Sequence, residues 1–187
     1  MYYLIGGLVI VCVTAIYFYN RIVTLVNMKK EAESGIYVQL KRRYDLVPNL
    51  ITTVKGYAGH EKGVFEKVAE VRSECLKINS VSDKVELENR LGAGIDRLIM
   101  IAENYPELKA GENFLKLQQQ LAEVEDNIQY SRRYFNGVVR DYNNAVETFP
   151  GLLVAKGFKF GKAEFYELKN ASEREAVVAE FSGGKNE

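Results

Sequence analysis

The sequence predicts an all-α protein in which an N-terminal transmembrane helix continues into an antiparallel bundle of long helices, of the four-helix type. Three observations support this. The first 20 residues contain no Lys, Arg, Asp or Glu, apolar residues then recur at spacings of three and four, and strand-like alternation is confined to one short stretch. The 25 basic and 25 acidic side chains balance, so no overall field favours nucleic acid, and we expect no nucleic-acid partner.

The first element is the apolar segment 1–20, MYYLIGGLVIVCVTAIYFYN. About 20 helical residues span the ~30 Å hydrocarbon layer. Tyrosines lie near both ends, where interfacial aromatic residues are expected. A cleaved signal peptide is less consistent with the sequence, because no basic segment precedes the apolar one and no small-x-small site follows it. We therefore predict an uncleaved, single-pass anchor in the cell membrane, with the lipid bilayer as its partner.

Basic residues lie on one side of this segment only. None precedes it, whereas Arg21, Lys29 and Lys30 follow closely. The positive-inside rule then predicts a short N-terminus outside the cell and a cytoplasmic bundle.

The apolar pattern after the anchor predicts helices at about 21–44, 46–79, 87–102 and 114–149. The stretch QLKRRYDLVPNL, residues 39–50, is interpreted as the corner between the first two. Asp45 is a suitable N-cap and Pro48 falls in a first helical turn, where a missing N–H costs little. A basic corner of Lys41, Arg42 and Arg43 would close the preceding helix, where positive charge complements the dipole.

The last helix has the clearest pattern, because its apolar residues step by three and four for five heptads, as in a coiled coil. The seam runs from Phe114 through Leu117, Leu121, Val124, Ile128, Ser131, Phe135, Val138, Tyr142 and Ala145 to Phe149. The chain thus divides into an anchor at 1–20, a cytoplasmic bundle at 21–149 and a C-terminal segment at 150–187 that folds onto the bundle and frays at its end.

Catalytic motifs are not found. His60 is the one histidine, and in HEKGV the second zinc ligand of an HExxH helix is replaced by Val64. The GAG at 92–94 lies in a helical pattern without a following GK[ST], and Cys12 and Cys75 form no CxxC. We therefore expect a protein that is not an enzyme and that has no metal site or cofactor.

One acid falls on an apolar arc. At ~100° per residue, Glu61 lies among the apolar residues of the predicted second helix. We expect it to be buried in a polar network with Arg132, Tyr134 or Tyr142. The alternative is a proton- or ligand-responsive site beside His60.

The opposite face of that predicted helix is rich in glycine, and each interior glycine should cost about 1 kcal/mol relative to alanine. Close approach of another helix or subunit would offset this cost, and a glycine-rich solvent face or a kink is the alternative. The predicted face comprises Asn49, Thr52, Gly56, Gly59, His60 and Gly63.

Three stretches resemble the LemA family. They are GIYVQLKRRYDLVPNLITTVKGYAGHEKGVFEKVAEVRS at 35–73, RRYFNGVVRDYNNAVETFPGLL at 132–153, and a GF followed by Phe165. The resemblance covers nearly the whole chain and departs at Glu33, usually aromatic, at Tyr37, usually Asp, and at Tyr44, usually His. It implies a membrane-tethered, mainly cytoplasmic bundle of prokaryotic origin, similar to a family associated with magnetosome membranes. It supplies no reaction and no catalytic residues.

These observations favour a membrane-anchored scaffold or interaction protein that forms homo-oligomers or recruits partners, including another membrane protein. A membrane-associated regulator of signalling, stress response or proteolysis and a membrane-shaping protein are the alternatives.

Overall fold

The computed structural model describes residues 1–77 and 81–166, and for 81–84 the backbone alone. All regular structure in these ranges is helical, so the predicted all-α class is confirmed. The described helices are α1 (Tyr2–Lys55), α2 (Lys62–Lys77), α3 (Val81–Glu103), α4 (Pro106–Lys109), α5 (Glu112–Glu147) and α6 (Gly151–Phe158).

Helix α1 is continuous from an exposed apolar N-terminal part to a C-terminal part that packs in the bundle. Its 54 residues extend about 80 Å at ~1.5 Å per residue. Residues 2–13 are all exposed, although they are almost entirely apolar. From Ile22 onward, a stripe at helical spacing is buried in the bundle core. The exposed part is long and apolar enough to cross a membrane.

Helix α5 packs antiparallel to α1 along the length of the bundle. Arg43 of α1 lies beside Glu125, with Nη1 and Oε2 3.4 Å apart. Lys29, nearer the N-terminus, lies beside Tyr142, nearer the end of α5, with Nζ 5.4 Å from the ring centroid. Most of the predicted seam of α5 is buried, but its last residue, Phe149, is 79% exposed, so its predicted place in the core is wrong.

The corner predicted around Pro48 is also wrong, because α1 continues through this residue to Lys55. A proline within a helix has no N–H to donate to the carbonyl four residues earlier, here that of Tyr44. Arg72 of α2 supplies the missing donor, with its Nε 2.6 Å from the Tyr44 oxygen. The chain turns later, between α1 and α2, in the segment 56–61.

The chain after α6 lies along α5 in an extended conformation. The Asn143 side chain forms two hydrogen bonds with the backbone of Ala163, of 2.8 and 3.0 Å. Asn136, two turns earlier in α5, forms the same pair with Tyr166, of 2.8 and 3.1 Å. Two helical turns and three extended residues both cover about 10 Å, which is why the bonds repeat. The predicted frayed end falls in residues 167–187, outside the described residues.

Candidate functional site

A buried carboxylate lies where α3 packs against α1. Glu88 of α3 is 1% exposed and shares its helix face with Leu91 and Ile95. The Tyr44 hydroxyl donates a hydrogen bond to Oε1 of Glu88. Arg43, the preceding residue of α1, lies 3.5 Å from Oε2 through Nη1. Adjacent residues of α1 therefore hold both oxygens of the carboxylate.

The arginines connect this carboxylate to α5. Arg43 lies between Glu88 and the partly exposed Glu125. Gly92 makes room for Arg43, since a β-carbon there would lie 2.7 Å from Nη2. Arg132 of α5 is also buried, and its guanidinium carbon lies 5.0 Å from the ring centroid of Tyr166. The cluster thus joins α1, α3, α5 and the extended C-terminal segment.

Burial dominates the electrostatics of the cluster. It raises the pKa of Glu88 from 4.5 to about 7, although the guanidinium groups of Arg43 and Arg132 lower it. Burial likewise raises the pKa of the Tyr166 hydroxyl, which therefore stays protonated near neutral pH. Within this cluster, Glu88 has the pKa that burial brings to about 7.

The cluster forms one wall of a cleft of about 620 Å³ between α3 and α5. Arg43, Glu88 and Arg132 contribute the buried polar wall, and Ala93 and Ala122 lie on the exposed sides of the two helices. Such a cleft can accept a polar or weakly amphipathic segment between the helices. Among the described side chains, those of residues 1–77 and 85–166, no three of His, Cys, Asp or Glu are grouped so as to hold a metal ion.

The structure changes the predicted polar network. Glu61 is exposed in the turn between α1 and α2, so its predicted burial is wrong. Tyr134 is 45% exposed and does not belong to a buried network. Arg132 is buried, but near Glu88. Tyr142 is buried and donates to the Gly161 carbonyl at 2.8 Å. The prediction for Glu61 failed because it extended one helix across the turn.

The same error affects the predicted glycine face. Asn49 and Thr52 lie in α1, Gly63 lies in α2, and the other three residues lie in the turn, so they do not share one helix face. All six side-chain positions are exposed. The turn residues are Gly56, Gly59 and His60, and their role in a subunit contact stays a prediction.

The basic corner lies inside the C-terminal part of α1 and not at a helix end. Lys41 forms an ion pair of 2.5 Å with Asp45 one turn later. Asp45 is not an N-cap, because α1 continues through it. Arg42 is exposed, whereas Arg43 is buried in the cluster. One residue of the triplet therefore serves the core and two face solvent.

Sequence reasoning missed Glu88, although a signal was present. Residue 88 lies three and seven positions before Leu91 and Ile95, so it belongs to the apolar stripe of α3. The positions that depart from the family pattern also have partners here. The Tyr37 hydroxyl donates to Glu33 at 3.3 Å, and Tyr44 donates to Glu88.

Comparison with known proteins supports the resemblance found in the sequence. The LemA family model matches residues 32–181, which is most of the chain. The chain belongs to the LemA family. The match includes the elements that build the cluster, from the C-terminal half of α1 through α5 and the extended segment.

The relatives have low sequence identity to this chain, but the alignments cover most of both proteins. Magnetosome protein MamQ of Magnetospirillum gryphiswaldense is 23% identical over 201 residues, which cover 94% of this chain and 74% of the relative. Protein LemA of Metamycoplasma hominis is 26% identical over 170 residues, covering 89% and 75%. Magnetosome protein MamQ 2 of Paramagnetospirillum magneticum is 22% identical over 189 residues, covering 87% and 70%. These similarities and the exposed apolar helix indicate a membrane-associated protein.

Proposed function

We propose that this LemA-family protein is a membrane-anchored helical scaffold that self-assembles or recruits partners at the cytoplasmic face of the membrane. The continuity of α1 carries the proposal, because the same helix is exposed and apolar at its N-terminus and forms the bundle core after Ile22. A rod of this kind holds its bundle at a set height above the bilayer. The orientation with the bundle inside rests on the basic residues that follow the anchor.

The cleft between α3 and α5 is where we propose that a helical segment of a partner or of a second copy docks. Arg43 lies 23 residues beyond residue 20, so the cleft is held about 35 Å from the membrane surface if α1 is upright. The charges of the lipid headgroups are screened over ~8 Å, much less than this distance. A partner bound in the cleft therefore contacts the protein and not the lipid. The mixed polar and apolar lining of the cleft suits a reversible contact with another protein.

The first test measures the mass of the detergent-extracted protein and analyses proteins cross-linked to it in intact membranes. We expect either a homo-oligomer or a co-purifying protein that is not an enzyme. A monomer without cross-linked partners contradicts the scaffold function. A monomer with one dedicated enzyme partner favours the regulator instead.

The second test places a charge in the cleft. Ala122→Arg should reduce self-association or partner recovery at least about tenfold, as expected for blocking the centre of an interface. Ala69→Arg, at an exposed position of α2 away from the cleft, is the matched control. Equal effects of both variants, or no effect of Ala122→Arg, contradict docking in the cleft.

A further inference from the structure

Helix α6 presents a second apolar surface at the end of the proposed span. Phe149, Leu153 and Phe158 are 79%, 63% and 62% exposed, although all three are large and apolar. Exposed apolar side chains grouped in this way mark a contact with another molecule or with a membrane. An isolated helix of eight residues is not stable in water, so this one depends on its packing.

The contacts of α6 place it at the boundary between the span and the bundle. A β-carbon at Gly151, the first residue of α6, would lie 3.4 Å from the Phe18 ring. The ring centroid of Phe158, the last residue, lies 4.7 Å from that of Tyr19. Phe18 and Tyr19 are among the final residues of the apolar segment 1–20.

These two contacts also give the direction of α6. Eight residues extend about 12 Å, whereas adjacent residues of α1 differ by only ~1.5 Å along its axis. Both ends of α6 therefore contact α1 side chains at nearly one level, as expected for a helix that runs across α1 rather than along it. If α1 crosses the bilayer, α6 lies close to the membrane plane.

The buried side of α6 faces the bundle. A β-carbon at Gly151 would collide with the carbonyl oxygen of Ala145, near the end of α5, and Ala155 is buried on the same side. Leu153 is two residues before Ala155 and therefore points the opposite way, at ~100° per residue. Since the bundle occupies that side of α6, Leu153 faces the bilayer side. Phe158 is seven residues after Gly151 and therefore lies on the Gly151 side, where its ring packs on Tyr19.

We infer that α6 and Phe149 form an interfacial membrane contact, with the apolar side chains of Phe149 and Leu153 in the outer acyl region and Phe158 packed beside Tyr19. Lys156 and Lys159 are exposed next to them and reach toward lipid phosphate groups. The occupant of this surface is the lipid bilayer, because the surface adjoins the aromatic end of the span and combines apolar and basic side chains. This inference rests on the proposed anchoring by residues 1–20.

The absence of tryptophan from the sequence allows a direct test. The full chain carrying Leu153→Trp is reconstituted in vesicles with or without brominated lipids, which quench tryptophan on contact. We expect blue-shifted emission and a fractional loss of intensity comparable with that of Ile10→Trp in the span. Met100→Trp, an exposed position of α3 in the bundle, is expected to emit as in water and to remain unquenched.

Each outcome decides one claim. Unquenched Ile10→Trp contradicts the anchor itself. If Ile10→Trp is quenched and Leu153→Trp is not, the interfacial contact is overturned: red emission then shows exposure to water, and blue emission shows cover by protein. Phe149→Trp repeats the measurement at a residue outside the helix, so a packing defect in one variant does not decide the result.

Discussion

Two segments near the C-terminal end of α1 contain residue types that often end a helix. The helix continues through the first segment and ends at the second. Pro48 lies within the continuous helix α1, whereas the segment 56–61, with Gly56 and Gly59, turns the chain toward α2. At the first, Arg72 of α2 replaces the donor that proline lacks. At the second, the hydrogen bonds are local, from Tyr57 and Ala58 to the Val54 carbonyl.

The two segments differ in whether their hydrogen-bond partners lie in another helix or nearby in the chain. The Tyr44–Pro48 segment depends on distant residues, since Arg72 binds the Tyr44 carbonyl and Glu88 accepts from the Tyr44 hydroxyl. The turn needs no partner from another helix among its described hydrogen bonds. Substitutions that remove distant support should therefore be more costly than substitutions in the turn.

The largest expected effect comes from the charge of Glu88. Because its pKa is raised from 4.5 to about 7, the folded protein holds a proton that the unfolded chain releases above pH 4.5. This contribution to stability is complete below pH 4.5 and is lost as the pH rises through 7, by about 3 kcal/mol in total. Urea unfolding of the detergent-solubilised protein across this range measures the loss.

Glu88→Gln is the control, because glutamine resembles the protonated acid and does not titrate. The difference in unfolding free energy between wild type and Glu88→Gln should change by about 3 kcal/mol between pH 4.5 and 8. The facing charged and titratable groups, Tyr44, Arg43, Arg132, Glu125 and Tyr166, are the same in both proteins. A difference that does not depend on pH would show that Glu88 is ionised throughout.

The second effect tests the support of Pro48. Arg72→Ala should lower the unfolding free energy by about 2 kcal/mol, as expected for a hydrogen bond from a charged donor. In a Pro48→Ala background residue 48 regains its N–H, so the cost of Arg72→Ala should fall below about 1 kcal/mol. Arg97→Ala, an exposed position of α3, is the control. Equal costs of Arg72→Ala in both backgrounds would contradict the coupling.

The sequence predicted the fold class because the signals for it are local and repeated. The seam of α5 has enough periods to identify a long helix, and the uncharged segment 1–20 is unlike the rest of the chain. The position of the turn was not predictable from Asp45 and Pro48, since these residues suit a helix start and the competing support comes from Arg72, 24 residues after Pro48 in sequence. Glu88 was missed for a related reason, because its partners belong to α1 and α5.

The smallest expected effects come from substituting two glycines, one at a contact between helices and one in the turn 56–61. Gly94 lies where α3 approaches α2, and a β-carbon there would be 2.9 Å from Cγ2 of Val68. Gly94→Ala should cost about 1 kcal/mol, because overpacking outweighs the gain in helix propensity. Gly59 lies in the turn, without a positive φ, and its β-carbon would meet its nearest atom, the Lys55 carbonyl oxygen, at 3.9 Å. Gly59→Ala should change stability by less than about 0.5 kcal/mol, with a slight gain from a less flexible unfolded chain. Thermal unfolding of both variants compares them, and a larger cost at Gly59 than at Gly94 would show that the turn also depends on a contact with another helix or subunit.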